Sequence, residues 1–65
     1  MFNTNIQEVG CRQGVNIIVG RSPLGKFYFQ EGRSYTGIDN SQGNAEQREF
    51  ETKDECLKWL KGEMK

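Results

Sequence analysis

The chain has 65 residues, of which 34% are hydrophobic, and its nine Lys and Arg residues are balanced by nine Asp and Glu residues. A chain of this length forms a single domain, residues 1–65, with a small core, which excludes a deep substrate cavity. Zero net charge excludes the general attraction of a basic protein to nucleic acid or to an anionic membrane.

The N-terminal residues and the two cysteines indicate the cellular compartment. Residues 1–10 lack the basic region and the apolar run of a signal peptide, and no stretch approaches the roughly 18 apolar residues of a membrane span. We therefore expect a cytoplasmic protein without membrane association. In that compartment Cys11 and Cys56 stay reduced and act as small apolar side chains, although an oxidising setting would allow a disulfide if the fold brought them together.

Two interpretations fit residues 1–13. Thr4 and Gln7 match a helix capping box that ends at Gly10, and residues 6–11 also match a short strand. The pattern leaves both interpretations open.

Residues 14–50 have the alternation and the turn residues of an antiparallel sheet. In residues 14–20, β-branched residues alternate with other residues between two glycines, which predicts a first strand. The alternating residues are Val15, Ile17 and Val19. Pro23 and Gly25 then predict a turn over residues 21–25.

Three more strands follow in the predicted sheet. The clearest is residues 26–30, which place Phe27 and Phe29 on one face. The remaining segments are a strand over residues 34–39, a loop over residues 39–44 and a polar strand over residues 45–50. The charges of the last strand suit the edge of a sheet, where they discourage pairing with other strands.

A helix is predicted over residues 52–62. Thr52 and Glu55 form a T-x-x-E capping box at its start, and Gly62 is a C-terminal stop. Apolar residues recur at spacings of three and four, so one side of the helix must pack on the sheet. These residues are Cys56, Leu57, Trp59 and Leu60.

We therefore predict an α+β fold, an antiparallel sheet of three or four strands with one C-terminal helix packed on one face. Phe27 and Phe29 are expected to meet Trp59 and Leu60, because these are the largest apolar groups that the two elements offer each other. The opposite face of the sheet is then open to solvent.

No catalytic, metal or cofactor site is predicted. The chain has no His, so a Ser or Cys nucleophile lacks its usual base, and two cysteines cannot supply the four ligands of structural zinc. Residues 14–25 lack the spacing of a phosphate loop, and residues 39–44 have too few carboxylates for a calcium loop. We expect a non-enzymatic protein without a cofactor.

The open sheet face carries the predicted contact patch. Tyrosine gives a large, stiff contact with a polar tip and is enriched at interfaces, and the period of two places both tyrosines on this face. An ordinary solvated face with paired tyrosines is the alternative interpretation. The predicted partner-binding residues are Lys26, Tyr28, Gln30, Arg33 and Tyr35.

The order of "KFYFQ", "SYTGIDN" and "FETKDECLKWL" within residues 25–62 resembles the N-terminal arm-binding domain of tyrosine recombinases. In that family a three-stranded sheet enters the DNA major groove and a helix supports its back. The resemblance implies a DNA-facing set made of Lys26, Tyr28, Arg33 and Tyr35. The family carries many basic residues on this sheet, whereas this chain has Asp39, Glu46 and Glu49 there. The same stretch is similar to short proteins of phages and mobile elements of Gram-positive bacteria.

The sequence thus predicts a small non-enzymatic binding module that engages a protein partner through the open sheet face or through an exposed strand edge. Binding of DNA or RNA by the sheet is the alternative. A homodimer through paired edges or stacked faces is also compatible with the pattern. The partner itself is not predicted.

Overall fold

The computed structural model describes residues 6–63, which form a four-stranded sheet with two helices. The α+β class and the C-terminal helix predicted from the sequence are confirmed. In chain order the elements are β1 (Ile6–Glu8), α1 (Cys11–Gly20), β2 (Gly25–Glu31), β3 (Ser34–Asn40), β4 (Glu46–Phe50) and α2 (Lys53–Leu60).

The sheet is mixed, with the strand order β1-β2-β3-β4. β2, β3 and β4 form an antiparallel meander, as the turn residues between them predict. β1 pairs with β2 in parallel, and the backbone N–H of Val9 extends that pairing to the carbonyl of Tyr28 at 2.9 Å. A parallel pair needs a crossover connection, and α1 supplies it.

The N-terminal segment forms a short strand, which is one of the two structures that its sequence predicts. Residues 6–8 are β1, and the predicted stop at Gly10 instead precedes the start of α1. Thr4, one half of the alternative capping box, lies outside the described residues.

The prediction of a strand over residues 14–20 is wrong, because this segment is most of α1. Gly14 and Ile17 are its buried residues, and their spacing of three places them on one side of a helix. Gly14 lies so close to the ring of Phe29 that a Cβ there would sit 2.5 Å from Phe29 Cε1. The alternation of β-branched residues that predicts a strand is overridden by this tertiary contact.

α1 covers the phenylalanine side of β2. The core on this side consists of Ile17, Phe27, Phe29 and Ile38, all of which are buried. Ile38 faces Phe27 directly across the β2–β3 pair, so both strands contribute to the same layer. Val9 and Ile18 are partly buried against this cluster and close its margin.

α2 covers the opposite face of the sheet. Its N-terminus is capped as predicted, since the Thr52 hydroxyl accepts a hydrogen bond from the backbone N–H of Glu55 at 3.2 Å. The helix approaches closely at Gly37, where an added Cβ would lie 3.1 Å from both Cys56 Sγ and the Trp59 ring. The core on this side consists of Tyr28, Phe50, Cys56 and Leu60.

The predicted contact of Phe27 and Phe29 with Trp59 and Leu60 is therefore wrong. Trp59 is only half-buried and lies against Phe50, with the ring centroids 5.7 Å apart. The physical reason is the second helix: α1 takes the phenylalanine face, and α2 packs on the tyrosine face. The amphipathic side chain of Tyr28 suits this position, because its ring is buried while its hydroxyl reaches the margin of the helix.

Asn40 ties together the two connections at one end of the sheet. Its side chain is fully buried, donates to the carbonyl of Pro23 at 2.7 Å and accepts from the backbone N–H of Ala45 at 2.9 Å. These two bonds hold the predicted turn over residues 21–25 beside the predicted loop over residues 39–44. The amide thus replaces backbone pairing that the two connections lack.

Candidate functional site

The predicted partner-binding residues lie on the side of the sheet that α2 covers. Tyr28 is buried beneath the helix, with 7% of its surface exposed. Lys26 is half-buried, and its ammonium group donates to the carbonyl of Leu60 at the end of α2. A cation at this position complements the negative end of the helix dipole, so Lys26 has a structural role.

The other three predicted residues lie toward the β2–β3 turn. Tyr35 is half-buried against the core on the α2 side, and it faces Phe50 across the β3–β4 pair. Gln30 and Arg33 are exposed, and the Gln30 amide donates to the carbonyl of Gly32 at 3.3 Å. Gln30 is the direct neighbour of Tyr35 across the β2–β3 pair, so an exposed amide adjoins a half-buried tyrosine at this end of the sheet, whereas α2 covers Tyr28.

The premise of an open tyrosine face is wrong. Sequence alternation assigns Tyr28 to one face and Phe27 to the other, but it does not say which face each helix covers. Lys53 on α2 completes the enclosure, with its ammonium group 5.7 Å from the centre of the Tyr28 ring. Hydrogen bonding to the Tyr28 side chain, together with its charge, raises the pKa of Lys53.

An uncovered part of the sheet lies on the other face, beside α1. There β3 and β4 form an open depression of about 310 Å³. The strand register aligns Thr36 with Glu49 and Ile38 with Gln47, so these residues share the face on which α1 packs. Gln47 and Glu49 are nevertheless exposed, which shows that α1 does not extend over β4. The lining residues are Glu31, Thr36, Gln47, Arg48 and Glu49.

The side chains around this depression favour hydrogen-bond donors and cations. Glu31 and Glu49 contribute carboxylates, which accept hydrogen bonds, and Gln47 contributes an amide. The guanidinium of Arg48 lies 5.6 Å from the centre of the Phe50 ring, on the face that α2 covers. Its charge is thus directed away from the two carboxylates.

β4 also forms an edge of the sheet. It pairs with β3 on one side, and no described strand pairs with its other side. Four of its five residues are exposed, which leaves the strand accessible along most of its length. An edge strand presents unpaired backbone N–H and C=O groups, and these groups can hydrogen-bond to an added strand.

The residues that can bind metal ions are dispersed in the described part of the chain. Groups of three or more His, Cys, Asp or Glu residues that could hold a metal ion do not occur within residues 6–63. Cys11 and Cys56 are both free, the first exposed on α1 and the second on the buried side of α2. Burial raises the pKa of the Cys56 thiol to about 11, so this thiol is an unreactive core group at neutral pH.

The charged residues of β4 predict an edge strand, but no local pattern in the sequence predicts the depression beside it. Gln47 and Glu49 are two positions apart, a spacing that places both on one face of a strand and indicates that this face is polar. Recognising the site also required Glu31 and Thr36, which come from two other strands. Their proximity depends on the strand register and on the limited reach of α1.

No protein-family model, curated protein or solved structure matches the chain. Within the described residues, no helix is long and apolar enough to cross a membrane.

Proposed function

We propose that the protein is a small non-enzymatic binding module that engages an extended segment of a protein partner along the outer edge of β4. The observation that carries this proposal is the combination of a free strand edge with an adjoining polar depression. Backbone hydrogen bonds to the edge supply affinity in this mode of recognition, and pockets beside the edge select alternate side chains.

The charges of β4 make such an edge selective. Glu46, Arg48 and Glu49 are exposed, and charges on an edge strand oppose indiscriminate pairing. A partner strand must place opposite charges beside them, so most strands are rejected and a complementary one is accepted. Lys or Arg side chains of the partner that enter the depression would meet Glu31 and Glu49.

Binding of nucleic acid by the sheet is the alternative function implied by the sequence resemblance. Lys26 and Tyr28, two of its contact residues, lie on the face beneath α2, and α1 packs on the opposite face of β2. The uncovered part of the sheet carries Glu31 and Glu49, and carboxylates repel phosphate. These observations favour a protein partner.

The test is capture of partners from a lysate of the source organism, with and without nuclease, by wild type and two matched variants. Glu49→Lys reverses a charge in the depression. Glu63→Lys makes the same charge change beyond α2, at the end of the helix near Lys26 and two strands away from β4. We expect protein that survives nuclease, is retained by Glu63→Lys and is lost by Glu49→Lys.

Two outcomes contradict the proposal. A protein retained equally by both variants would place the contact elsewhere on the molecule. Captured material that disappears after nuclease treatment would support nucleic-acid binding instead. Circular dichroism of both variants confirms that each is folded before the comparison is made.

A further inference from the structure

The exposed large hydrophobic side chains fall within one short segment of the described chain, residues 15–24. Among the described residues, the large hydrophobic side chains that remain exposed are Val15, Val19 and Leu24, with 47%, 79% and 66% of their surfaces exposed. Val15 and Val19 are one turn apart on α1, and Leu24 belongs to the loop that follows it. We call these three residues the α1 strip.

The charged residues of α1 and of the loop after it have one sign. Residues 9–25, which include α1 and the loop after it, contain the basic residues Arg12 and Arg21 and no Asp or Glu. Arg12 lies one turn before Val15 on α1, and Arg21 is the residue at which the helix ends. Exposed apolar surface bordered by cations is complementary to an apolar surface bordered by carboxylates.

α1 also has few features that stabilise a helix by itself. Gly10 precedes it without a side-chain cap, and its first turn holds no acidic residue. Of its ten residues, four are Val or Ile and two are Gly, types that favour a helix less than Ala or Leu do. Only Gly14 and Ile17 are buried against the sheet. A partner that packs on the outer side of α1 would therefore stabilise the helix as well as cover its apolar residues.

We propose that the α1 strip is a second interaction surface, which binds an amphipathic helix of a protein partner whose apolar stripe is bordered by Asp or Glu. Val15 and Val19 form a ridge of the i, i+4 type, and helices pack by placing such ridges in grooves between side chains. Carboxylates at the margin of the partner helix pair with Arg12 and Arg21.

A second copy of the chain is a poorer occupant of the α1 strip. A symmetric contact places the same surface of both copies together, so Arg12 and Arg21 of one copy would approach those of the other. No carboxylate in residues 9–30 offsets that repulsion. The proposal also does not depend on partner binding at β4, which is two strands away from β2 beneath α1.

The test uses two synthetic helical peptides of roughly 18 residues, or five turns. Both have the same Leu stripe, bordered by Glu in one peptide and by Lys in the other, and binding to the full chain is measured by fluorescence anisotropy. We expect the Glu peptide to bind at least roughly 10-fold more tightly than the Lys peptide, and added salt to reduce the difference.

Variants of exposed residues locate the binding. Val19→Ser should weaken binding of the Glu peptide by roughly 10-fold while leaving the circular dichroism spectrum unchanged. Arg12→Glu should weaken it, whereas Arg33→Glu, the same charge change in the exposed β2–β3 turn, should not. Glu49→Lys on β4 should retain binding of the Glu peptide, which separates this surface from the one proposed above.

Three results would overturn the inference. The first is equal affinity for the two peptides, or no binding of either. The second is binding of the Glu peptide that Val19→Ser leaves unchanged. The third is a concentration-dependent dimer, seen by sedimentation, that Val19→Ser abolishes, since this would assign the α1 strip to a second copy of the chain.

Discussion

Replacement of Gly14 by Ala tests the packing of α1 on the sheet. An added methyl group would lie 2.5 Å from Phe29 Cε1, whereas carbon atoms in contact are about 3.5–4.0 Å apart. Phe29 is only 3% exposed, so its ring has no solvent into which it can turn. The helix or the ring must therefore move by about 1 Å to relieve the clash.

The magnitude follows from two opposing effects. Overpacking of a core costs about 1–3 kcal/mol, and Ala in place of Gly inside a helix returns about 1 kcal/mol. We expect Gly14→Ala to lower the free energy of unfolding by up to about 2 kcal/mol, a large part of the ~3–5 kcal/mol available to so small a domain. The melting temperature should fall by roughly 4–8 °C for each kcal/mol lost.

Gly20→Ala is the matched control for this substitution. Gly20 is in the same helix, but a Cβ there would meet no atom within 4 Å. This variant should be as stable as wild type or more stable by up to about 1 kcal/mol, because it gains helix propensity without a clash. Urea unfolding followed by circular dichroism measures both variants. If Gly14→Ala proves as stable as Gly20→Ala, α1 does not rest on Phe29 and this packing is incorrect.

Three further predictions concern the core and the caps. Asn40→Asp should lower the free energy of unfolding by about 2–3 kcal/mol, because a buried carboxylate cannot donate to the carbonyl of Pro23. The matched control is Asn44→Asp, which should have little effect because Asn44 is exposed. Thr52→Ala should cost about 1 kcal/mol in urea unfolding through loss of the cap on α2, and an unchanged midpoint would argue against that cap. The pKa of the Cys56 thiol rises to about 11 on folding from its ordinary value of 9.0, so above pH 9 the unfolded chain loses a proton that the folded chain keeps. Stability should therefore fall between pH 9 and about 11, by up to about 1.4 kcal/mol per pH unit, and Cys56→Ala should show a shallower decline; equal slopes would contradict the burial of this thiol.

The strands of the meander and the start of α2 could be predicted because their signals are local. In β2, Phe27 and Phe29 alternate with Lys26, Tyr28 and Gln30. Glycine or polar turn residues follow each predicted strand of the meander. Thr52 and Glu55 stand at the spacing of a capping box, and the structure forms the hydrogen bond that this spacing implies. These patterns require no knowledge of any distant part of the chain.

α1 could not be predicted in the same way. Its β-branched residues favour a strand locally. Position 14 needs a glycine because a Cβ there would clash with the ring of Phe29, which is 15 positions away along the chain. With this segment predicted as a strand, the sequence offers only one helix, and the large apolar side chains of Phe27 and Phe29 assign that helix to the phenylalanine face. That error also placed Tyr28 on an open face, whereas the structure buries it beneath α2.

The candidate site was only partly predictable for the same reason. The charged edge strand was visible in residues 45–50, because its polar sequence is local. The depression could not be predicted, because Glu31, Thr36 and Glu49 come from three different strands. They line it together where the sheet extends beyond α1. Neighbouring strands and helix positions decide which part of a sheet face is accessible.

Nuclear Overhauser effects from the ring protons of Phe29 test the central claim, that two helices cover opposite faces of the sheet. This arrangement predicts contacts from the Phe29 ring to the α-protons of Gly14 and the methyl groups of Ile17. It also predicts contacts from the Trp59 indole to Gly37 and Phe50. Contacts between the Phe29 ring and the Trp59 indole would contradict it, because α2 would then lie on the phenylalanine face.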